Sequence, residues 1–186
     1  MEPETLRTAR LLLSPPDEGD VDAIHGSCQD AAIQRFTTVP TPYQRADAEA
    51  FVGLARGWWD KGSEATWAIR VEGRLVGMIG LANLPSGGPE IGYWIAPDVR
   101  GRGLATEAAR AVIAWGFSPA HPTVQRIEWR AMVGNVGSAR VARALGFRYE
   151  GLLRQAHVNS LGRSDMWIGG LLRDDDREPV DWPEIG

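Results

Sequence analysis

Two arginines alternate with two glycines, Arg100-Gly101-Arg102-Gly103, between "GPEIGYWIAP", which has strand character, and "LATEAARAVIAWGF", which has helix character. A loop that runs from a strand straight into a helix leaves backbone N–H groups pointing out of the helix N-terminus. The helix dipole adds to their attraction for an anion. Glycine at 101 and 103 removes the Cβ atoms that would hold a phosphate away, and allows positive φ. Arg100 and Arg102 contribute charge and side-chain donors. A plain glycine turn with solvated arginines accounts for the same four residues, so the loop alone leaves both readings open.

Known phosphate loops narrow the choice. A Walker A loop needs Gly-Lys-Ser/Thr, which the chain lacks. A dinucleotide loop is closer, because Gly101-Arg102-Gly103 begins a GxGxxG that fails at Thr106, and Glu128 lies on the following strand. Against it, Glu128 sits in mid-strand between Ile127 and Trp129, and the third glycine is missing. The hairpin before the loop is also wrong for a doubly wound parallel sheet.

Other reactive side chains carry less. Cys28 is the single cysteine; it reads as a small packed hydrophobe, and the absence of any pairing suits a reducing cytoplasm. His25, His121 and His157 have no metal-ligand spacing, so no metal is expected. Glu107 falls in the first helical turn, where a carboxylate suits the dipole. Trp58 and Trp59 adjoin on one helix and must face different ways: one belongs to the core, and the other to the core, the surface or a pocket wall.

These residues must be positioned by a regular framework. "LRTARLLLSPP" reads as an opening strand stopped by prolines, and "DEGDVDAIHGSCQD" as a helix with Val21, Ile24 and Cys28 on one face. A second helix follows, with Thr41 as cap, Pro42 in the first turn and Gly62 just past the end. Its expected buried face is Phe51, Leu54, Ala55 and Trp58. "ATWAIRVEGRLVGMIGLANL" turns at Gly73 as a β-hairpin, and Glu90–Ala96 forms a third strand. After the RGRG loop, Leu104, Ala108, Val112 and Trp115 share a helix face. A strand (Val124–Val133), a short helix and two closing strands complete a mixed α/β chain.

Composition sets the outer limits. The chain has 186 residues, 44% hydrophobic and 24% charged, enough for one good core. Its net charge of −4 resides in the segment from Arg173 onward, which holds six acids and two arginines. The expected division is a single domain over 1–172 and a solvated acidic tail over 173–186. No basic patch points to nucleic acid, no apolar run spans a membrane, and "MEPETLRTAR" lacks the pattern of a signal peptide.

Several motifs in order add a resemblance. Arg100-x-x-Gly103-x-Ala105 follows a strand, with Pro97 three residues before the arginine. Tyr93-Trp94, Ala105-Thr106-Glu107-Ala108, Asn135-x-x-Ser138, Gly146-Phe147, Glu150-Gly151 and Asp165 occur with it. Over about 80 residues this series resembles the GNAT N-acetyltransferases, in particular the RimJ/RimL-like subgroup, which includes enzymes that acetylate ribosomal-protein N-termini and several small-amine acetyltransferases. The resemblance implies a GNAT fold: an α/β (α+β) domain with a mostly antiparallel central sheet of about seven strands and about four flanking helices.

It also implies a site. Acetyl-CoA would be the co-substrate, with its pyrophosphate on the backbone of Arg100, Gly101, Arg102, Gly103, Leu104 and Ala105. Its pantetheine arm would lie along Tyr93, Trp94 and Ile95, and Asn135 would contact it through the side-chain amide. Glu90 is the implied base, with Glu128 as an alternative. Ser138 or Tyr93 is the implied proton donor to the thiolate, because the family's usual tyrosine four residues before "GF" is here Ala142. Ser138 is also implied as a cofactor-binding residue, and it has a competing role in capping its helix. The implied reaction is acetylation of a primary amine, in the first place a protein N-terminal α-amine. A small amine such as a polyamine, an aminoglycoside or an aminoacyl conjugate is the alternative acceptor. A non-catalytic acyl-CoA-binding module is a reading of another class. A homodimer is compatible with all of these.

Overall fold

The computed structural model describes residues 1–183. The opening strand is split in two, β1 (Leu6–Arg7) and β2 (Leu12–Ser14), because Thr8 closes a turn onto Leu11 through both its N–H and its hydroxyl. Helices α1 (Val21–Ser27), α2 (Ala31–Phe36) and α3 (Arg45–Lys61) follow. Val21, Ile24 and Cys28 are buried as their spacing predicts. The separate helix α2 was not anticipated; Asp30 starts it by accepting hydrogen bonds from the N–H groups of Ala32 and Ile33.

Helix α3 starts later than Thr41-Pro42 suggests. Asp47 accepts the Gln44 N–H at 2.7 Å and fixes the start there, while Gly62 at φ 64° ends the helix as expected. Its buried stripe is Ala48, Val52, Ala55 and Trp59, and Leu54 is 55% exposed. The predicted face was therefore rotated: Trp59 takes the core position, and Phe51 and Trp58 pack edge to face at its margin. Trp59 joins Trp67 and Trp115 in a cluster of T-shaped indole contacts with centroids 5.0–5.9 Å apart.

The remaining elements are β3 (Glu64–Val71), β4 (Arg74–Ala82), β5 (Glu90–Ile95), α4 (Leu104–Gly116), β6 (Arg126–Met132), α5 (Val136–Ala144), β7 (Arg148–Asn159) and β8 (Gly162–Leu172). The β3–β4 hairpin turns on Glu72 and Gly73, both at positive φ, as a two-residue turn requires. One sheet results, in the order β1-β2-β3-β4-β5-β6-β8-β7, and every neighbouring pair but β5–β6 is antiparallel. Helices α4 and α5 close the larger core on one face, with Leu104, Ala108, Val112 and Trp115 buried; α1 and α3 close a second core on the other. Among the described residues, eight strands and five helices stand where about seven and about four were expected, in the same α/β class.

The acidic C-terminal segment is not a solvated extension over its described part. Val180 N–H donates to the Arg143 carbonyl, and Trp182 is 2% exposed with its Nε1–H donating to the Phe147 carbonyl at 2.9 Å. The indole rests against Trp129 and Tyr149. Charge counting missed this because one tryptophan outweighs several surface acids in anchoring a chain. Residues 184–186 of the expected tail lie outside the described residues.

Candidate active site

The site begins where two strands part. The ladder between β5 and β6 is recorded only at Glu90–Glu128 and Ile91–Trp129. Glu128 N–H donates to the Pro89 carbonyl, so residues 89, 91, 93 and 95 turn their backbone groups toward β6. Ala96 N–H donates to Val76, so the even residues turn toward β4. Beyond Ile91 the β6 partner is gone, and the N–H and C=O of Tyr93 and the N–H of Ile95 open onto a cleft. The Ile95 carbonyl is taken by Arg100 Nε at 3.1 Å.

The loop after β5 completes one wall. A 3-10 turn over Pro97–Val99 leads to Arg100; Gly101 and Gly103 then adopt φ 76° and 75°, in the left-handed region where glycine is favoured. Gly103 precedes α4 without a side-chain cap, which leaves the first N–H groups of the helix without one. The two arginines act differently from a simple phosphate clamp. Arg100 pairs with Asp30 at 2.7 Å and ties the loop to the start of α2. The Arg102 carbonyl is held by Arg10, which is itself clamped to Glu107 at 2.6 Å. Glu107 also accepts the Thr8 hydroxyl at 2.6 Å, so its part is bracing the loop. Burial opposes ionisation of Asp30, but the Arg100 guanidinium and the N–H groups of Ile33 and Ala32 outweigh it and hold the carboxyl below its ordinary range.

Opposite this wall stands α5. Asn135 is its cap, with Oδ1 accepting the Ser138 N–H at 3.1 Å, which leaves the amide Nδ2 for other contacts. Capping thus belongs to Asn135, and the Ser138 hydroxyl is used elsewhere. Trp129 Nε1–H donates to Ser138 Oγ at 2.9 Å, and Tyr93 OH lies 2.9 Å from the same oxygen. An indole N–H can only donate, so Ser138 Oγ keeps one lone pair and its own proton to share between Tyr93 and the cleft. Burial pushes the Tyr93 phenol up to about 12, so it holds its proton at neutral pH.

These walls enclose a cavity of about 500 Å³. Tyr93, Trp94, Ile95, Arg100, Gly101, Gly103, Leu104, Ala105, Asn135 and Ser138 all line it. Arg102 and Glu90 do not. Glu90 lies at the start of β5 on the face opposite Tyr93, half-exposed, beside Arg130 and Glu128. Burial pushes its carboxyl above the ordinary range; Arg130 pulls it down and Glu128 pushes it up. The sequence places Phe36 and Thr37 in the loop expected to face the cofactor, but it did not single out Arg140 and Val141 of α5, or the helix α2 that brings Ala32 and Ile33 into the same wall. Asp30, a good cap before a short apolar run, was the signal for that wall. Among the described residues no group of three His, Cys, Asp or Glu side chains is placed to hold a metal, and no helix is long and apolar enough to cross a membrane.

Comparison with known proteins gives the lineage. Residues 10–148 match the family model described as "Acetyltransferase (GNAT) domain". The chain belongs to the GNAT family. This GNAT chain is 36% identical over 106 residues to the "Putative ribosomal N-acetyltransferase YdaF" of Bacillus subtilis, a match that covers 55% of this chain and 57% of that protein. It is 26% identical over 175 residues to the "Uncharacterized N-acetyltransferase p20" of Bacillus licheniformis, covering 91% and 97%. Its fold superposes with a TM-score of 0.83 on a structure of RimL, a ribosomal L7/L12 alpha-N-protein acetyltransferase in complex with coenzyme A, at 21% identity over 93% of this chain and 100% of that one. The chain is thus a GNAT-fold, acetyl-CoA-dependent acyltransferase.

Proposed function

We propose that this GNAT chain acetylates a primary amine, with a protein N-terminal α-amine as acceptor, by direct attack of the amine on the thioester. The observation that carries the reading is the parting of β5 from β6 directly above a glycine loop and an uncapped helix N-terminus, with the Tyr93–Ser138–Trp129 cluster facing across it. The names of YdaF and RimL, both N-terminal or ribosomal acetyltransferases by description, favour the protein acceptor.

Acetyl-CoA supplies the activated acetyl group when bound. The residues present fit it: Gly101 and Gly103 leave the loop backbone open, and a Cβ at Gly101 would meet nothing within 4 Å. The N–H groups from Arg100 to Ala105 would hold the pyrophosphate. The free N–H groups of Tyr93 and Ile95 would align the pantetheine amide and face the developing oxyanion. Asn135 would offer Nδ2 to the same arm. Glu90 would take the proton of the acceptor ammonium, directly or through water, and Ser138 or Tyr93 would return one to the departing thiolate.

The test is thiol release from acetyl-CoA with peptides bearing free or blocked N-termini and with a panel of small amines. We expect turnover of free N-termini and none of blocked ones. Turnover of small amines alone would remove the N-terminal assignment. Tight acetyl-CoA binding without turnover anywhere would remove catalysis.

A further inference from the structure

The sheet face that carries Glu90 also carries a chain of charges on β6 and β7. Arg126 clamps Glu150 through both terminal nitrogens, at 2.6 and 2.5 Å, and reaches Glu128 Oε2 at 3.4 Å. Arg130 Nε donates to Glu128 Oε1 at 2.6 Å but stands 3.8 Å from Glu90 Oε2. Glu90 and Glu128 are register partners on adjacent strands, so their side chains project side by side. Gly170 on β8 keeps the floor flat, since a Cβ there would collide with Arg126 and Glu150.

The unequal sharing of Arg130 matters for a base. A carboxylate given the full hydrogen bonds of an arginine is a weak base, because the pair stabilises its charged form. A carboxylate beside another with no cation would keep its proton. We infer that Glu128 and Arg130 are positioning residues for Glu90: Arg130, 3.8 Å away, favours the ionised carboxylate, while Glu128 draws the short hydrogen bond of Arg130 to itself and leaves the Glu90 lone pairs free for the acceptor's proton. The inference rests on Glu90 being the base. The proton leaves the acceptor ammonium, joins a Glu90 oxygen, and the nitrogen keeps the electron pair with which it attacks.

The other groups around Glu90 fit this account. On β4 its partner is Ala82, which is uncharged. Beyond it on β3 is Glu64, whose carboxylate accepts the Thr66 hydroxyl and is pushed up by burial. On β8 the residue beside Glu128 is Gly170, and Glu150 of β7 is balanced by Arg126. Arg130 is thus the nearest cation to Glu90 in this array.

The experiment is the pH profile of kcat/KM, with one acceptor peptide, for the native chain and for E90Q, E128Q, R130Q and R130K. Removing the Glu128 charge hands Arg130 to Glu90, so the acidic limb of E128Q moves to lower pH. Removing Arg130 moves the limb to higher pH, with about three-fold lower kcat/KM on the limb and recovery at alkaline pH. R130K keeps the native limb. Opposite displacements support the inference; limbs that coincide, or that move together, overturn it. E90Q separates the two levels. If its acidic limb persists, Glu90 is not the base and both readings fail. If the limb vanishes in E90Q while E128Q and R130Q match the native profile, the base stands and only the positioning roles fall.

Discussion

Ser138 occupies a position where three polar groups meet, and its hydroxyl decides how their protons are arranged. Trp129 Nε1–H is 2.9 Å away and can only donate; Tyr93 OH, at 2.9 Å, can do either. One arrangement leaves the serine proton free for the cleft and the other leaves the tyrosine proton free. Ser138→Ala removes the serine route and the partner that orders the tyrosine proton. We expect kcat to fall by about 100-fold with little change in acetyl-CoA affinity, measured by steady-state kinetics and calorimetry. Because Trp129 is 1% exposed, its N–H would also lose its partner, and stability should drop by about 1–3 kcal/mol. An unchanged kcat beside that stability loss would leave Ser138 a structural role only.

At the scale of elements, the glycine loop is held from outside its own sequence. Arg100 spends its charge on Asp30 of α2, and Arg10, before β2, holds the Arg102 carbonyl and Glu107 of α4. The side chains brace, and the backbone is left to bind. Gly103 therefore offers a clean test if backbone strain is kept apart from crowding. Its φ of 75° would strain a β-branched residue, whereas asparagine tolerates the left-handed region. Space exists for a Cβ within the protein itself, the nearest heavy atom being Arg10 Nη2 at 3.7 Å. Gly103→Asn should thus fold with a melting temperature near the native value and bind acetyl-CoA about ten-fold more weakly. Unchanged affinity by calorimetry would remove the pyrophosphate from this loop.

The molecule as a whole is closed by its C-terminal segment, which passes over Gly146 and returns Trp182 to the core. A Cβ at Gly146 would meet the carbonyls of Asp176 and Glu178, so this glycine permits the crossing. Trp182 packs on Trp129, the residue that holds Ser138. Trp182→Ala should cost about 3–5 kcal/mol, read as a large drop in the denaturant midpoint. A change below about 1 kcal/mol would restore the tail to a solvated extension.

Local rules made much of this legible. The apolar period of α4, the Glu72-Gly73 turn and the Gly62 stop depend on neighbours a few residues away, and the structure has them as the sequence predicts. The series of motifs from Tyr93 to Asp165 was enough to place the chain in its family. The rest depends on partners distant in sequence. Arg100 with Asp30, Arg10 with Glu107, Trp129 with Ser138 and Trp182 with Phe147 are joined by topology that no local pattern encodes. The sequence by itself determined most of the elements and the glycine loop, though not α2 or the split of the opening strand, because backbone preference and periodicity act at short range. Only the tertiary structure decided which charges remain free for a ligand, because burial and pairing are properties of the packed sheet.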